Sequence, residues 1–271
     1  MIIIKLIKKF LKGKRPDQKL CEDAIFTSDQ ALAVIDGVTS KSDFTYQGQK
    51  TGRIASQIIL CSLKNLKTIE SLDQVIESIN QDYDEFYQNV PFSKDKRRYG
   101  LQAVMAIYLK AVQKVYIIGD CQVRVNDKIY ESPKKMDDIL ADLRSFITAV
   151  RKDQGQDLYE NGEEVARKEI LPYILETTRF MNREVPFGYS VLNGDPIPSS
   201  LITEIDVEEG DLVTLASDGY PDLKEDFQTT EDYLEQVNEK DPHCLHENPS
   251  TKGIDPGNYS FDDRSYIQFV V

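Results

Sequence analysis

The stretch "DAIFTSDQALAVIDG" (residues 23–37) decides the architecture. Two apolar runs, centred on Ala24–Phe26 and Leu32–Ile35, flank the polar turn Ser28-Asp29-Gln30, the pattern of two strands joined by a short connection. So tight a turn joins antiparallel neighbours. Leu32, Ala33, Val34 and Ile35 are all apolar, which predicts a strand covered on both faces. That strand ends on Asp36-Gly37. The dipeptide is either a simple turn or a place where glycine lets the backbone approach another group closely.

Working outward, "TGRIASQIILCSLKNL" and "SLDQVIESINQDYDEFYQNV" carry apolar residues at helical spacing, with Ser71 as an expected cap. "LQAVMAIYLK", "KVYIIGD" and "QVRVNDKIYE" read as strands in quick succession. Residues 134–180 return to helical periodicity, interrupted by "DQGQDLYENG". "LITEIDV", "DLVTLASDG" and "RSYIQFVV" complete the strands, and "EKDPHCLHENPSTKGIDPGNYS" (239–260) reads as an exposed polar loop. Strands come in consecutive groups and helices in consecutive pairs. This grouping predicts an α+β fold: antiparallel sheets packed together in a layered sandwich with helices on the outer faces. Neither an internal repeat nor a linker divides residues 1–271, so a single domain is expected.

Of the 271 residues 40% are hydrophobic and 29% charged, ordinary for a globular chain, and the net charge of -13 argues against a nucleic-acid partner. No apolar run approaches the roughly 20 residues needed to span a bilayer. The opening "MIIIKLIKKFLKGKRP" is too short in its apolar part for a secretory h-region. Its three isoleucines favour a first strand running into the core, with lysines on its exposed side, over a membrane-surface helix. Cys21, Cys61, Cys121 and Cys244 are dispersed without a CxxC pair, which reads as reduced thiols in the cytoplasm. "HCLHEN" brings His243 and His246 beside Cys244. One short cluster without a second ligand pair reads as loop rather than zinc site.

Acids recur at strand boundaries. Asp36 and Asp218 each end an apolar run and precede glycine, Asp120 ends "VYIIGD", Glu22 and Asp23 precede a strand, and Asp262 and Asp263 precede the last one. Carboxylates at the edges of packed strands can gather in space. A hard-oxygen set without Cys or His ligands suits Mg²⁺ or Mn²⁺, and no EF-hand loop points to calcium.

In order and spacing, "CEDAIF", "AVIDGVTSKSD", "VYIIGDCQVR", "LVTLASDGYPDL" and "FDDRSYIQFVV" resemble the motifs of the metal-dependent Ser/Thr protein phosphatases, the protein phosphatase 2C family, in its bacterial form. No single motif is specific; the five in sequence are. The resemblance implies two antiparallel sheets flanked by helix pairs and a centre of two, or three, Mg²⁺ or Mn²⁺ ions. Asp36, Asp218 and Asp262 would be the catalytic acids. Asp36 would bridge both metals, Glu22 and the Gly37 carbonyl would complete one, and Asp218 and Asp262 the other. Asp120 would serve a third ion, and Asp23 would orient ligands. Two such ions lower the pKa of a bridging water, which then attacks a phosphomonoester without a Ser or Cys nucleophile. The expected partner is a phosphorylated protein, acted on by a cytoplasmic monomer with no membrane role. Three positions depart from the family. Gln18 stands where an Arg commonly grips phosphate, Val38 replaces a His found in eukaryotic members, and "YGLQAV" replaces a hydroxyl-rich stretch. Lys19 is the nearest cation that could substitute for the Arg, provided that the chain there is not a regular strand. The competing readings are an inactive relative that binds phosphoproteins, and a peripheral membrane scaffold using the basic N-terminal segment.

Overall fold

A computed structural model describes residues 4–39 and 41–271; Ile2 and Ile3 of the opening segment lie outside the described residues. In chain order, β1 (Lys5–Lys12), β2 (Ala24–Thr27) and β3 (Ala31–Gly37) precede α1 (Thr51–Asn65), α2 (Leu72–Asn89) and the single turn α3 (Lys96–Tyr99). Then come β4 (Ala103–Leu109), β5 (Lys114–Ile118), β6 (Gln122–Val125) and β7 (Lys128–Tyr130). The helices α4 (Lys135–Asp153) and α5 (Val165–Thr177) enclose a small hairpin, β8 (Tyr159–Glu160) and β9 (Glu163–Glu164). The chain closes with β10 (Thr203–Asp206), β11 (Leu212–Ala216), α6 (Phe227–Lys240) and β12 (Arg264–Val270).

Two five-stranded antiparallel sheets result, ordered β10-β5-β4-β3-β2 and β1-β12-β11-β6-β7. The alternation in β3 explains why every residue of its run is apolar. Leu32 and Val34 share a core with Val123, Leu215 and Ile267 of the other sheet, whereas Ala33 and Ile35 pack with Ile59 of α1 and Ile79 of α2. Ser71 caps α2 by accepting the Gln74 N–H at 3.3 Å. On the opposite outer face, α6 and its flanking loops also cover the sheet. Ala216 and Tyr266 pack beneath Leu223, Leu234, Cys244 and Phe261, contributed by α6 and its flanking loops. Residues 134–180 do form two helices, α4 and α5. They pack on each other and, through the fully buried Arg144, on the carbonyls of His243, Cys244 and Ser250.

Two expectations need correction. The 239–260 segment is not simply an exposed loop: Asp241 accepts the N–H groups of Leu245, His246 and Glu247, and the loop buries Cys244 and Leu245. Cys244 faces the core while His243 and His246 are exposed, so the three do not converge. The N-terminal strand forms, but as a sheet edge. Leu6, Ile7 and Leu11 are exposed, Ile4 and Phe10 pack inward, and the pairing with β12 slips between Leu6 and Lys8.

Because neighbouring strands run in opposite directions, the ends of β3, β5 and β11 and the starts of β4, β6 and β12 fall at one end of the sandwich. Gly37 pairs with Ala103, and Ala216 with both Gln122 and Tyr266.

Candidate active site

Asp36, Asp120, Asp218 and Asp262 line one cavity of about 150 Å³ at that end. Glu22 and Asp23 lie just beneath, both buried. Their segment is held from several sides. Arg53 of α1 donates to the carbonyls of Cys21 (2.8 Å) and Asp23 (3.3 Å). Asp263, itself buried, accepts the Glu22 N–H at 2.8 Å and the Lys14 N–H at 2.7 Å. Asp23 accepts the Ser217 hydroxyl at 2.7 Å, tying the first motif to β11. Asp263 therefore builds the site, a role that its place beside Asp262 in the sequence does not reveal.

Gly37 answers the question raised by Asp36-Gly37. A Cβ there would lie 2.2 Å from the Gly52 carbonyl oxygen and 2.7 Å from that of Glu22. The glycine permits three backbone segments to meet, which a simple turn would not require.

The carboxylates crowd each other. Burial, then Asp23, Asp218 and Asp262, push Asp36 well above the ordinary carboxyl range, and its side chain shares a hydrogen bond with Asp218. Burial, with Asp262 and Asp120, pushes Asp218 up to about 7. Two acids in contact can both be ionised only if a cation or a shared proton lies with them. Asp262 goes the other way: burial opposes its charge, but Lys252 and Lys14 hold it below the usual range. Lys14 is only 5% exposed, and its ammonium lies 2.8 Å from Asp262, 3.7 Å from Glu22 and 3.8 Å from Asp263. Lys252 also bonds Asp262, and Lys134 bonds Asp120 at 2.7 Å.

Among the described residues, no three acidic, His or Cys side chains converge on one point as a preformed cage. The donors nevertheless suit a hard divalent cation. Glu22 Oε1, Asp23 Oδ1 and Asp218 Oδ1 are buried without hydrogen-bond partners, and all are oxygen ligands of the kind Mg²⁺ and Mn²⁺ take.

Lys19 stands apart. Residues 18–20 form a 3-10 turn rather than a strand, and Lys19 is exposed on it, outside the cavity lining. Gln18 is occupied in closing the bend that leads into that turn: it accepts the Gly13 N–H at 2.7 Å and donates to the Arg15 carbonyl at 2.6 Å. The cations that do line the cavity are Lys41, Arg98, Lys134, Arg167 and Lys252. None marks itself in the sequence, because all come from loops, a short turn and helices rather than from strand ends.

No protein-family profile and no curated protein matches the chain. Solved structures do. Over 99% of both chains it superposes on the serine/threonine phosphatase PstP/Ppp of Mycobacterium tuberculosis, at TM-score 0.50 and 16% identity. The fold is that of the protein phosphatase 2C-type phosphatases. The PstP catalytic domain in complex with two manganese ions matches at TM-score 0.50 and 17% identity, over 100% of this chain and 99% of that one. Stp1 from Staphylococcus aureus matches at TM-score 0.50 and 18% identity, over 100% and 95%. At such identities the likeness establishes the protein phosphatase 2C fold, and the chemistry has to be argued from the residues.

Proposed function

We propose that residues 1–271 are one catalytic unit that hydrolyses phosphoserine and phosphothreonine monoesters on proteins with the help of Mg²⁺ or Mn²⁺. The observation that carries this reading is the set of unpartnered buried oxygens on Glu22 and Asp218 beside the Asp36–Asp218 contact. Such a group is unfavourable alone and is relieved by a divalent cation. Asp36, the Gly37 carbonyl, Glu22, Asp218 and Asp262 would hold two ions, with Asp120 available to a third. Bound there, the ions would activate water and neutralise charge on the phosphoryl oxygens. Asp23, held by the Ser217 hydroxyl, would orient the neighbouring ligands. Asp263 fixes the backbone of Glu22, and Lys14 and Lys252 must yield Asp262 for an ion to use it. The solved relatives named as serine/threonine phosphatases, one with two manganese ions, support the substrate class and the metal. A monomer acting in the cytoplasm fits the unpaired cysteines, and among the described residues no helix is long and apolar enough to cross a membrane. Turnover of phosphothreonine and phosphoserine peptides, with little on a phosphotyrosine peptide, is the expected result. Equal turnover of all three would remove the substrate class.

A second reading has its own observation. The ammonium groups of Lys14 and Lys252 already neutralise Asp262, as they would in a phosphoprotein-binding relative that no longer uses a full set of ions. Metal-stimulated turnover decides between the two.

A further inference from the structure

The cavity is lined by charges of both signs. Besides Lys134, which is paired with Asp120, its cations are Lys41 from the loop after β3, Arg98 of α3, Arg167 of α5 and Lys252 of the 241–263 loop. Two of these are already paired, Arg98 with Glu176 at 2.7 Å and Lys252 with Asp262. Lys41 and Arg167 are different. Lys41 donates to the Thr39 carbonyl and Arg167 to the Thr251 carbonyl, each at 2.7 Å, and among the described residues neither enters an ion pair. Asp137, on the same lining, lies 4.0 Å from Lys134. The unpaired cations also disfavour each other. Burial, then Arg167 and Lys252, push the Lys41 ammonium down to about 7, and burial with Arg144 lowers Arg167.

Half-buried cations that line one cavity, with the Asp137 carboxylate on that lining but ion-paired to neither, are relieved by an anion from outside. We propose that Lys41 and Arg167 form an anion subsite that receives the phosphoryl group of the substrate. Arg167 of α5 and Lys41 of the loop after β3 thus supply the grip that the turn at Gln18 lacks. The identity of the ligand as a substrate phosphoryl group rests on the phosphatase reading; the anion subsite itself does not. Arg167 offers a planar fork suited to two phosphoryl oxygens, and Lys41 a point charge beside it.

The test is calorimetric binding of inorganic phosphate and of a phosphothreonine peptide to wild type, Arg167→Met and Lys41→Met, with Mn²⁺ affinity measured in parallel. Methionine keeps the apolar stem and removes the charge. Each variant should weaken phosphate binding about 10- to 100-fold, the loss of one charged hydrogen bond, and raise KM for the peptide more than it lowers kcat. Mn²⁺ affinity should stay at the wild-type value. Unchanged phosphate binding in both variants would overturn the subsite. So would weaker peptide binding with inorganic phosphate unaffected, which would place the contact on the peptide. A parallel loss of Mn²⁺ affinity in both variants would also overturn it, since the side chains would then be supporting the acid cluster. If wild type shows no turnover with Mn²⁺ while phosphate binding still depends on Arg167, the subsite stands and the phosphatase reading fails.

Discussion

Lys14→Met separates a lysine that holds a cation position from one that merely braces the fold. The ammonium it removes lies within 3.8 Å of Asp262, Glu22 and Asp263, and the residue is 5% exposed. Removing one partner of a buried ion pair costs about 3–5 kcal/mol, because the remaining charges are left uncompensated. At about 2–4 °C per kcal/mol for a chain of this size, the variant should melt roughly 6 to 20 °C lower in EDTA. A divalent ion can then occupy what the ammonium vacated. Mn²⁺ at about 100 times its Kd adds about 2.7 kcal/mol to any protein that binds one ion. The variant should gain more than wild type, because its Kd falls as the competing charge disappears. The assay is thermal melting of both proteins in EDTA and across a Mn²⁺ titration. The reasoning is refuted if Mn²⁺ raises the two melting temperatures by the same increment.

Asp36→Ala should abolish metal-stimulated hydrolysis and weaken Mn²⁺ binding by calorimetry, since Asp36 would serve both ions; near-normal turnover would return Asp36-Gly37 to the status of a turn. In EDTA, melting temperature should fall as pH rises from about 4 towards 7. Asp218 and Asp36 have folded-state pKa values raised above their unfolded ones, so the folded state binds more protons in that window and loses its advantage as they leave. Excess Mn²⁺ should flatten this slope. Lys19→Ala should leave KM unchanged, given its exposed place on the 3-10 turn. Gln18→Arg should fail to lower KM and should cost about 1 kcal/mol of stability in denaturant melts for its lost turn-closing bonds.

The strands and their acids were legible in the sequence because both depend on local pattern. The unbroken apolar run of β3 and the boundary positions of Asp36, Asp120, Asp218 and Asp262 follow from strand geometry, and antiparallel pairing brings them to one end. The helix α6 was missed because "FQTTEDYLEQVNEK" buries only Thr230, Leu234 and Val237, too narrow a stripe to stand out. The edge position of β1 leaves no signal in the sequence, because apolar side chains such as Leu6, Ile7 and Leu11 suggest burial and are exposed. Lys14, Lys41, Arg167 and Lys252 were illegible for a deeper reason. A lysine in a loop or an arginine on a helix carries no periodic signal. Their meeting with the acids depends on separations such as the one between Lys14 and Asp262, which only tertiary structure closes. Proximity in sequence points to Lys19 instead, and the 3-10 turn removes that ground.

The central claim is that the acid cluster works by holding divalent ions. Its most direct test is the rate of phosphate release from a phosphothreonine peptide by wild-type protein, measured first in EDTA and then across a Mn²⁺ titration, with bound Mn²⁺ counted in the same samples. Release should be at background in EDTA and rise in step with occupancy of the Mn²⁺ sites. Undiminished release in EDTA, or full Mn²⁺ occupancy without any release, would contradict the account.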